Sequence, residues 1–292
     1  MSSPVWFITA ASSGFGRAIA FEALRRGHKV IATARNSLKL TELKAAGAAV
    51  MDLDVTSDDS TLAAKLSEAN AIYGKITHVV NAAGYILVGA IEEASQKEVF
   101  DHYNTNVFGC FNIARAAVPY LRAAAAANKN SNTNVALANF GSLGSWHSGA
   151  GVAHYCSTKF AVTGLTEGLR EELGPFGIDV CVVEPGYTRT GFLSADEKGN
   201  DHRVMTERVL DVYGGTAAAK ARELMAAVDG NQPGNVEKCA KAIVDVLTRE
   251  GGKKVPVRLV TGSDCVEVVR NKCDETLRLV SEWEDVSSSV MY

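Results

Sequence analysis

Residues 5–27, VWFITAASSGFGRAIAFEALRRG, hold a strand pattern, a glycine-bearing turn and an amphipathic helix in that order. VWFIT (5–9) is too apolar to alternate, which suits a strand covered on both faces. FGRAIAFEALRRG follows as a helix closed by Gly27. Gly14 and Gly16 stand where the strand turns into that helix, and the free N–H groups of its first turn would face a pyrophosphate. A lone G-x-G is common; strand before, helix after and a β-α-β frame around it make this one a dinucleotide-site candidate.

The same alternation continues along the chain. KVIATA (29–34), AAVMDLDV (48–55), ITHVVNAAG (76–84), NVALANF (134–140) and IDVCVVEPG (178–186) read as strands, and VPVRLVTG (255–262) as a weaker one. Helical patterns lie between them near 37–46 and over 59–73, 95–127, 153–173 and 234–250. Repeated β-α units imply right-handed crossovers and a doubly wound, Rossmann-type parallel sheet with helices on both faces. No linker or internal repeat interrupts residues 1–292, so one domain is the economical reading. In such a sheet ligands bind beyond the carboxyl ends of the strands, and the chemically interesting residues cluster there.

Bulk composition narrows the classes. The chain has 292 residues, 30 Lys and Arg against 33 Asp and Glu, and a net charge of −3. Without a basic run, a nucleic-acid surface has no electrostatic footprint. No run of 18 apolar residues is found, so no membrane span is expected. The start of the chain lacks a basic leader and cleavage site and does not read as a signal peptide. Six cysteines without C-x-x-C or framework spacing read as reduced thiols of a cytoplasmic protein.

Two local features carry chemistry. Between Glu22 and Glu42 there is no acidic residue to grip a ribose 2′-hydroxyl, and Arg35 follows the second strand, placed to meet a 2′-phosphate. NADP(H) is therefore expected, although a surface arginine at a helix start would look the same. Asp54, after the third strand, could meet the adenine or simply close a turn. The second feature is HYCSTKFAVTG (154–164), where Tyr155 precedes Lys159 by one helical turn. Such a pair is either a solvated i,i+4 contact or a proton-transfer pair in which lysine lowers the phenol pKa from about 10.

The ordered series TAASSGFG, NAAG (81–84), Asn106 in NTNVFG, FGSLGS, YCSTK and PGYTRT (185–190) resembles the short-chain dehydrogenase/reductase family along essentially the whole chain. The compact branch fits the spacing, and the tail from Val257 to Glu284 is similar to the hydroxysteroid/retinol dehydrogenase-like branch. The resemblance implies a catalytic set of Ser142, Tyr155, Lys159 and Asn106. Tyr155 would exchange the proton, Ser142 would bond the carbonyl oxygen, Lys159 would also hold the nicotinamide ribose, and Asn106 would position a relay water. It implies cofactor contacts from Thr9, Ser12, Ser13, Gly14, Phe15, Gly16, Asp54, Val55, Asn81, Ala82, Ala83, Gly84, Pro185, Gly186, Thr188 and Thr190, besides Arg35, Tyr155 and Lys159. Pairing of subunits through the helices over 101–127 and 153–173 would give a homodimer or homotetramer.

Departures from the family pattern are local. Ala10 replaces its first motif glycine, Ala82 the second asparagine of NNAG, and Thr188 an aliphatic residue. FGS leaves Ser142 in register, with Ser145 close enough to compete for the role. The stretch 191–233 reads as a helical substrate lid, longer than a simple connection. Trp146, His147 and Tyr187 are expected to line, with Ser142 and Tyr155, a pocket for a bulky, partly apolar ketone or alcohol, although packing is an equal reading of a loop tryptophan such as Trp146. His147, His154 and Cys156 lack a fourth ligand for zinc, and no metal is expected. An isomerase or dehydratase on the same fold, or an NADP-sensing regulator, remains the alternative to an oxidoreductase.

Overall fold

Strand β1 (Val5–Ile8) is buried along its whole length because its side chains feed two separate layers. Trp6 and Ile8 enter the core under one set of helices, Val5 and Phe7 the core under the other. The computed structural model describes residues 3–128, 133–194 and 202–292. After β1 come α1 (Gly14–Arg25), β2 (Lys29–Ala34), α2 (Thr41–Ala45), β3 (Ala49–Asp52), α3 (Asp59–Tyr73) and β4 (His78–Asn81). The chain continues with β5 (Ile86–Val88), α4 (Gln96–Tyr103), α5 (Cys110–Ala127), β6 (Val135–Phe140), α6 (Ala153–Leu173) and β7 (Ile178–Pro185). It ends with β8 (Thr188–Arg189), β9 (Arg203–Met205), α7 (Ala217–Val228), β10 (Gly234–Asn235), α8 (Val236–Leu247), β11 (Arg258–Thr261), α9 (Ser263–Glu282) and α10 (Glu284–Ser288).

Seven strands form one parallel sheet in the order β11-β7-β6-β4-β1-β2-β3. Helices α1 and α8 cover one face through Ile19, Ala20, Ala23, Ile243 and Val244. Helices α3 and α5 cover the other through Leu62, Leu66, Ile113, Ala117 and Leu121. A sheet with both faces covered has no solvated side, which is why its strands show no polar alternation. The order runs outward in both directions from β1 and β4, so the crevice between their carboxyl ends is the topological switch point.

Helices α3 and α6 keep the expected limits to the residue, and β2 likewise. The expected helix over 95–127 is instead broken by a π-helical turn, Asn104–Gly109, between α4 and α5. The 191–233 segment is only partly helical. It contains α7, but Arg203–Met205 form β9, paired in parallel with β5, and residues 195–201 lie outside the described ones. Helix α9, over 263–282, was not anticipated from the sequence pattern.

Candidate active site

Segments following β1, β4, β6 and β7 converge on a cavity of about 400 Å³, within the usual range of small-molecule sites. The turn after β1 is built for close approach. A Cβ on Gly16 would lie 2.7 Å from the Ala10 carbonyl oxygen, so that position accepts no side chain without a shift, and Gly14 has φ +51°, where a side chain would be strained. Ala10 has φ +50°, a left-handed conformation held by a residue with a side chain. Helix α1 begins at Gly14, with no acidic residue in its first turn to occupy the N–H groups facing the cavity wall. This is an anion cradle in shape and in sign.

Ser142, Tyr155 and Lys159 all line the cavity. A Cβ on Gly144 would meet Tyr155 Cε1 at 3.5 Å and Ser142 Oγ at 3.6 Å, so the hydroxyl and the phenol ring flank one small gap. Ser142 Oγ accepts the Gly144 N–H at 3.1 Å, which orients it. Ser145 does not compete. Its hydroxyl donates to the Lys159 carbonyl at 3.0 Å and accepts the Ser142 N–H at 3.2 Å, buried behind the wall. Lys159 Nζ lies 5.7 Å from the Tyr155 ring centroid and donates to the Phe140 carbonyl at 2.8 Å.

The two ionisable groups shift in opposite directions. Burial brings the Lys159 ammonium down to about 8. Burial drives the Tyr155 phenol above its ordinary value, and the neighbouring Ser142 hydroxyl, a partner for the phenolate, pulls weakly the other way. Lysine does not supply the expected lowering of the phenol; burial prevails, and Tyr155 is held as a proton donor at neutral pH.

Asn106 sits on the π-helical turn and is buried away from the cavity lining. Its Oδ1 accepts the Tyr85 N–H at 3.0 Å and its Nδ2 donates to the Tyr85 carbonyl at 2.9 Å. A Cβ on Gly84 would lie 3.2 Å from Asn106 Oδ1 and 3.7 Å from Lys159 Nζ, so Asn106 supports the wall beside the lysine. Its neighbour His102 is buried with its Nδ1 unpartnered, and burial brings its pKa down to about 4.

Several sequence-predicted residues stand elsewhere. Ser13, Gly14, Phe15, Gly16, Ala82, Ala83, Gly84, Pro185, Gly186, Tyr187, Thr188 and Thr190 line the cavity as expected; Thr9, Ser12, Arg35, Asp54, Val55 and Asn81 do not. Thr9 is a tie between strands, accepting the Ala82 N–H at 3.0 Å. Asn81 is buried under the sheet's end, donating to Asn139 Oδ1 at 2.9 Å and to the Cys110 carbonyl at 3.1 Å. Asp54 closes a turn by accepting the Thr56 N–H and hydroxyl. Arg35 is exposed and makes no hydrogen bond or ion pair among the described residues. Trp146 is the clear correction. Its Nε1 donates to buried Glu184 at 2.8 Å and its ring lies 3.5 Å under the Arg258 guanidinium, so it belongs to a packed ion-pair cluster, while His147 lines the cavity.

Residues that the sequence pattern missed close the far side. Phe192, Leu193 and Met225 form an apolar wall with Ile86, and His202 Nε2 lies 3.1 Å from the Ser13 hydroxyl on the glycine turn. Asp264, at the start of α9, accepts the Tyr187 N–H at 2.7 Å and abuts Gly186, where a Cβ would lie 2.1 Å from its carboxylate. A serine-aspartate pair after a strand was the available signal, as a helix N-terminus. Gln232 also lines the cavity. Among the described residues no group of three His, Cys, Asp or Glu side chains is disposed to hold a metal ion. No helix among them is long and apolar enough to cross a membrane.

Residues 4–201 match the family model described as short chain dehydrogenase. The oxidoreductase BOA17 of Botryotinia fuckeliana is 33% identical over 288 residues, covering 97% of each chain. A short-chain dehydrogenase structure from Streptomyces avermitilis is 35% identical, with a TM-score of 0.85 over 99% of both chains. A serine dehydrogenase solved with NADP+ is 25% identical, with a TM-score of 0.70 over 88% of this chain and 94% of that one.

Proposed function

The chain belongs to the short-chain dehydrogenase/reductase family of nicotinamide-dependent oxidoreductases, and from that premise we propose an NADP(H)-dependent reductase of a bulky, partly apolar ketone or aldehyde, acting reversibly on the alcohol. The carrying observation is the convergence of Ser142, Tyr155 and Lys159 on a cavity whose opposite wall is the Gly14–Gly16 turn. That turn fits the cofactor, because a side chain is crowded out at Gly16, Gly14 takes a left-handed φ without strain, and the α1 amides are free to meet a pyrophosphate. When bound, the cofactor supplies the hydride. Arg35 would meet the 2′-phosphate, the 188–190 segment the nicotinamide end, and Lys159 the adjoining ribose.

The chain's own residues then handle one proton and one developing charge. Ser142 Oγ bonds the substrate oxygen as charge accumulates there. Tyr155, kept protonated by burial, gives its proton to that oxygen. Lys159, with its pKa brought down to about 8, can return a proton towards the phenol near neutral pH. Asn106 is a positioning residue for the Gly84–Tyr85 wall of this path. The apolar residues of the lid exclude water and favour an apolar body on the substrate.

A cytoplasmic setting is supported by six unpaired cysteines, and a single domain by the continuous sheet. Exposed Phe108, beside α5, and Phe160 and Leu165, on α6, support pairing of subunits through those helices. The test of the chemistry is Tyr155→Phe, which keeps the ring and removes the donor. NADPH binding is expected to persist while turnover in a ketone screen falls by roughly 100-fold or more. Turnover within a few-fold of the parent would sink the assignment and favour isomerisation or dehydration on the same fold.

A further inference from the structure

Gln232 stands between α7 and β10, is 2% exposed, and lines the cavity. Its backbone is committed: the carbonyl accepts from Arg189 Nη2 at 3.3 Å, which fixes the segment beside β8. Its side chain is not. Neither the amide oxygen nor the amide nitrogen has a hydrogen-bond partner among the described residues. Buried amides are normally satisfied, so one left without either partner calls for an explanation. The apolar lining from Ile86, Phe192, Leu193 and Met225 offers it nothing to bond.

We propose that Gln232 is a specificity-determining residue, whose amide turns into the cavity and pairs with a neutral substrate group that both donates and accepts, a hydroxyl or a carboxamide remote from the reacting carbonyl. No hydrogen bond holds the amide in place, so rotation about its side-chain torsions meets only local packing. The neutral character of the ligand follows from the lining. Among the described residues it contains no Asp, Glu or Arg; Lys159 is bonded to Phe140 at the reacting end, and of its two imidazoles His202 lies 3.1 Å from Ser13 on the glycine turn, leaving His147. A charged remote group would be desolvated there with no carboxylate or guanidinium to meet it. A primary amide offers one donor face and one acceptor face, the complement of a hydroxyl. A site built this way rejects the analogue lacking the group, because the amide is then left unpaired. The inference rests on the reductase reading above.

The probes are 2-decalone and 6-hydroxy-2-decalone, a bicyclic ketone without and with one remote hydroxyl, each assayed with NADPH. Against the parent, Gln232→Met is expected to lose on the order of 10- to 100-fold in kcat/KM for the hydroxy ketone and less than about two-fold for 2-decalone. NADPH affinity, read by its fluorescence, stays within about two-fold, and the ligand-free variant melts a few degrees higher because an unsatisfied buried amide is gone. Equal loss on both ketones, a matching loss of NADPH affinity (the nicotinamide carboxamide being the partner) or a lower melting temperature overturns the proposal. Should Gln232→Met fail to fold, the side-chain amide resonance of Gln232 in the glutamine-labelled parent decides. It must shift with the hydroxy ketone and not with 2-decalone; no shift overturns the proposal. If the parent reduces neither ketone, the amide resonance alone decides the proposal, and the reductase reading is judged separately by the Tyr155→Phe ketone screen.

Discussion

Ala10 carries a methyl group through a left-handed turn, φ +50°, which costs on the order of 1–2 kcal/mol relative to glycine. Four residues on, Gly14 makes a similar excursion at φ +51° with no such cost. The strain sits at the edge of the cavity, where the chain must bend sharply to present α1 end-on. Lys159 shows the same trade in electrostatics, an ammonium buried for its position beside Tyr155. Arg35 is the reverse case, exposed and uncommitted at the end of β2. Its strand pairs with β3 in the register Ala34 to Asp52, so Arg35 and Asp54 share one end of the sheet. If Arg35 reads a 2′-phosphate, Arg35→Ala should weaken NADPH by about 10- to 100-fold, equivalent to roughly 1.4–2.8 kcal/mol, and leave NADH nearly unchanged. Equal losses in a two-cofactor titration would remove Arg35 from the phosphate site.

At the scale of elements, the segment from Arg203 to Val228 is fastened by charges that no local pattern displays. Glu93 is fully buried and accepts the Ala90 and Leu210 N–H groups at 2.7 and 2.9 Å, and Arg222 of α7 pairs with it. Tyr213 bonds the Glu92 carboxylate at 2.9 Å, and the Glu207 N–H bonds Glu98 at 2.9 Å. Replacing Arg222 by Met would strand a buried carboxylate, a loss of about 3–5 kcal/mol concentrated on the α7 docking. Limited proteolysis should then cut within 203–228 much faster while the sheet's helices resist; an unchanged digestion pattern would show that Glu93 does not hold the lid. These ties also explain what could be read from the chain. The core strands and α3 and α6 were legible because buried apolar runs and caps such as Asp58 are local. Strand β9 was not, since three residues gain strand form only by meeting β5, more than a hundred positions away. Tyr155 and Lys159 were visible as one helical turn, whereas Gln232 and His202 reach the cavity only through the lid's path. Trp146 was misplaced because a loop tryptophan carries no mark distinguishing a pocket wall from a bed for Arg258.

Across the whole molecule, two buried histidines tie stability to acidity from opposite sides of the functional question. His78 lies in β4, stacked 4.4 Å from Trp6, with Nε2 at 3.1 Å from the Leu247 carbonyl. His102 lies against Asn106. Desolvation brings both from 6.5 down to about 4, so both are neutral in the folded chain at pH 6. Unfolding releases them to water, where they bind protons below about pH 6.5. The unfolded state therefore holds more protons between about pH 4 and 6.5, and stability must fall as the pH falls through that window. From pH 7 to pH 5 the loss is about 2 kcal/mol for each histidine, since one pKa unit corresponds to about 1.4 kcal/mol. Urea midpoints measured at pH 7, 6 and 5 should drop accordingly. In His78→Gln, which keeps a polar side chain near the Leu247 carbonyl but cannot titrate, the slope should be roughly halved whatever the variant's absolute stability. A slope identical to the parent's would mean that His78 takes up its proton alike in the folded and unfolded states, at an ordinary pKa of about 6.5, and a steeper one that it already carries its proton when folded.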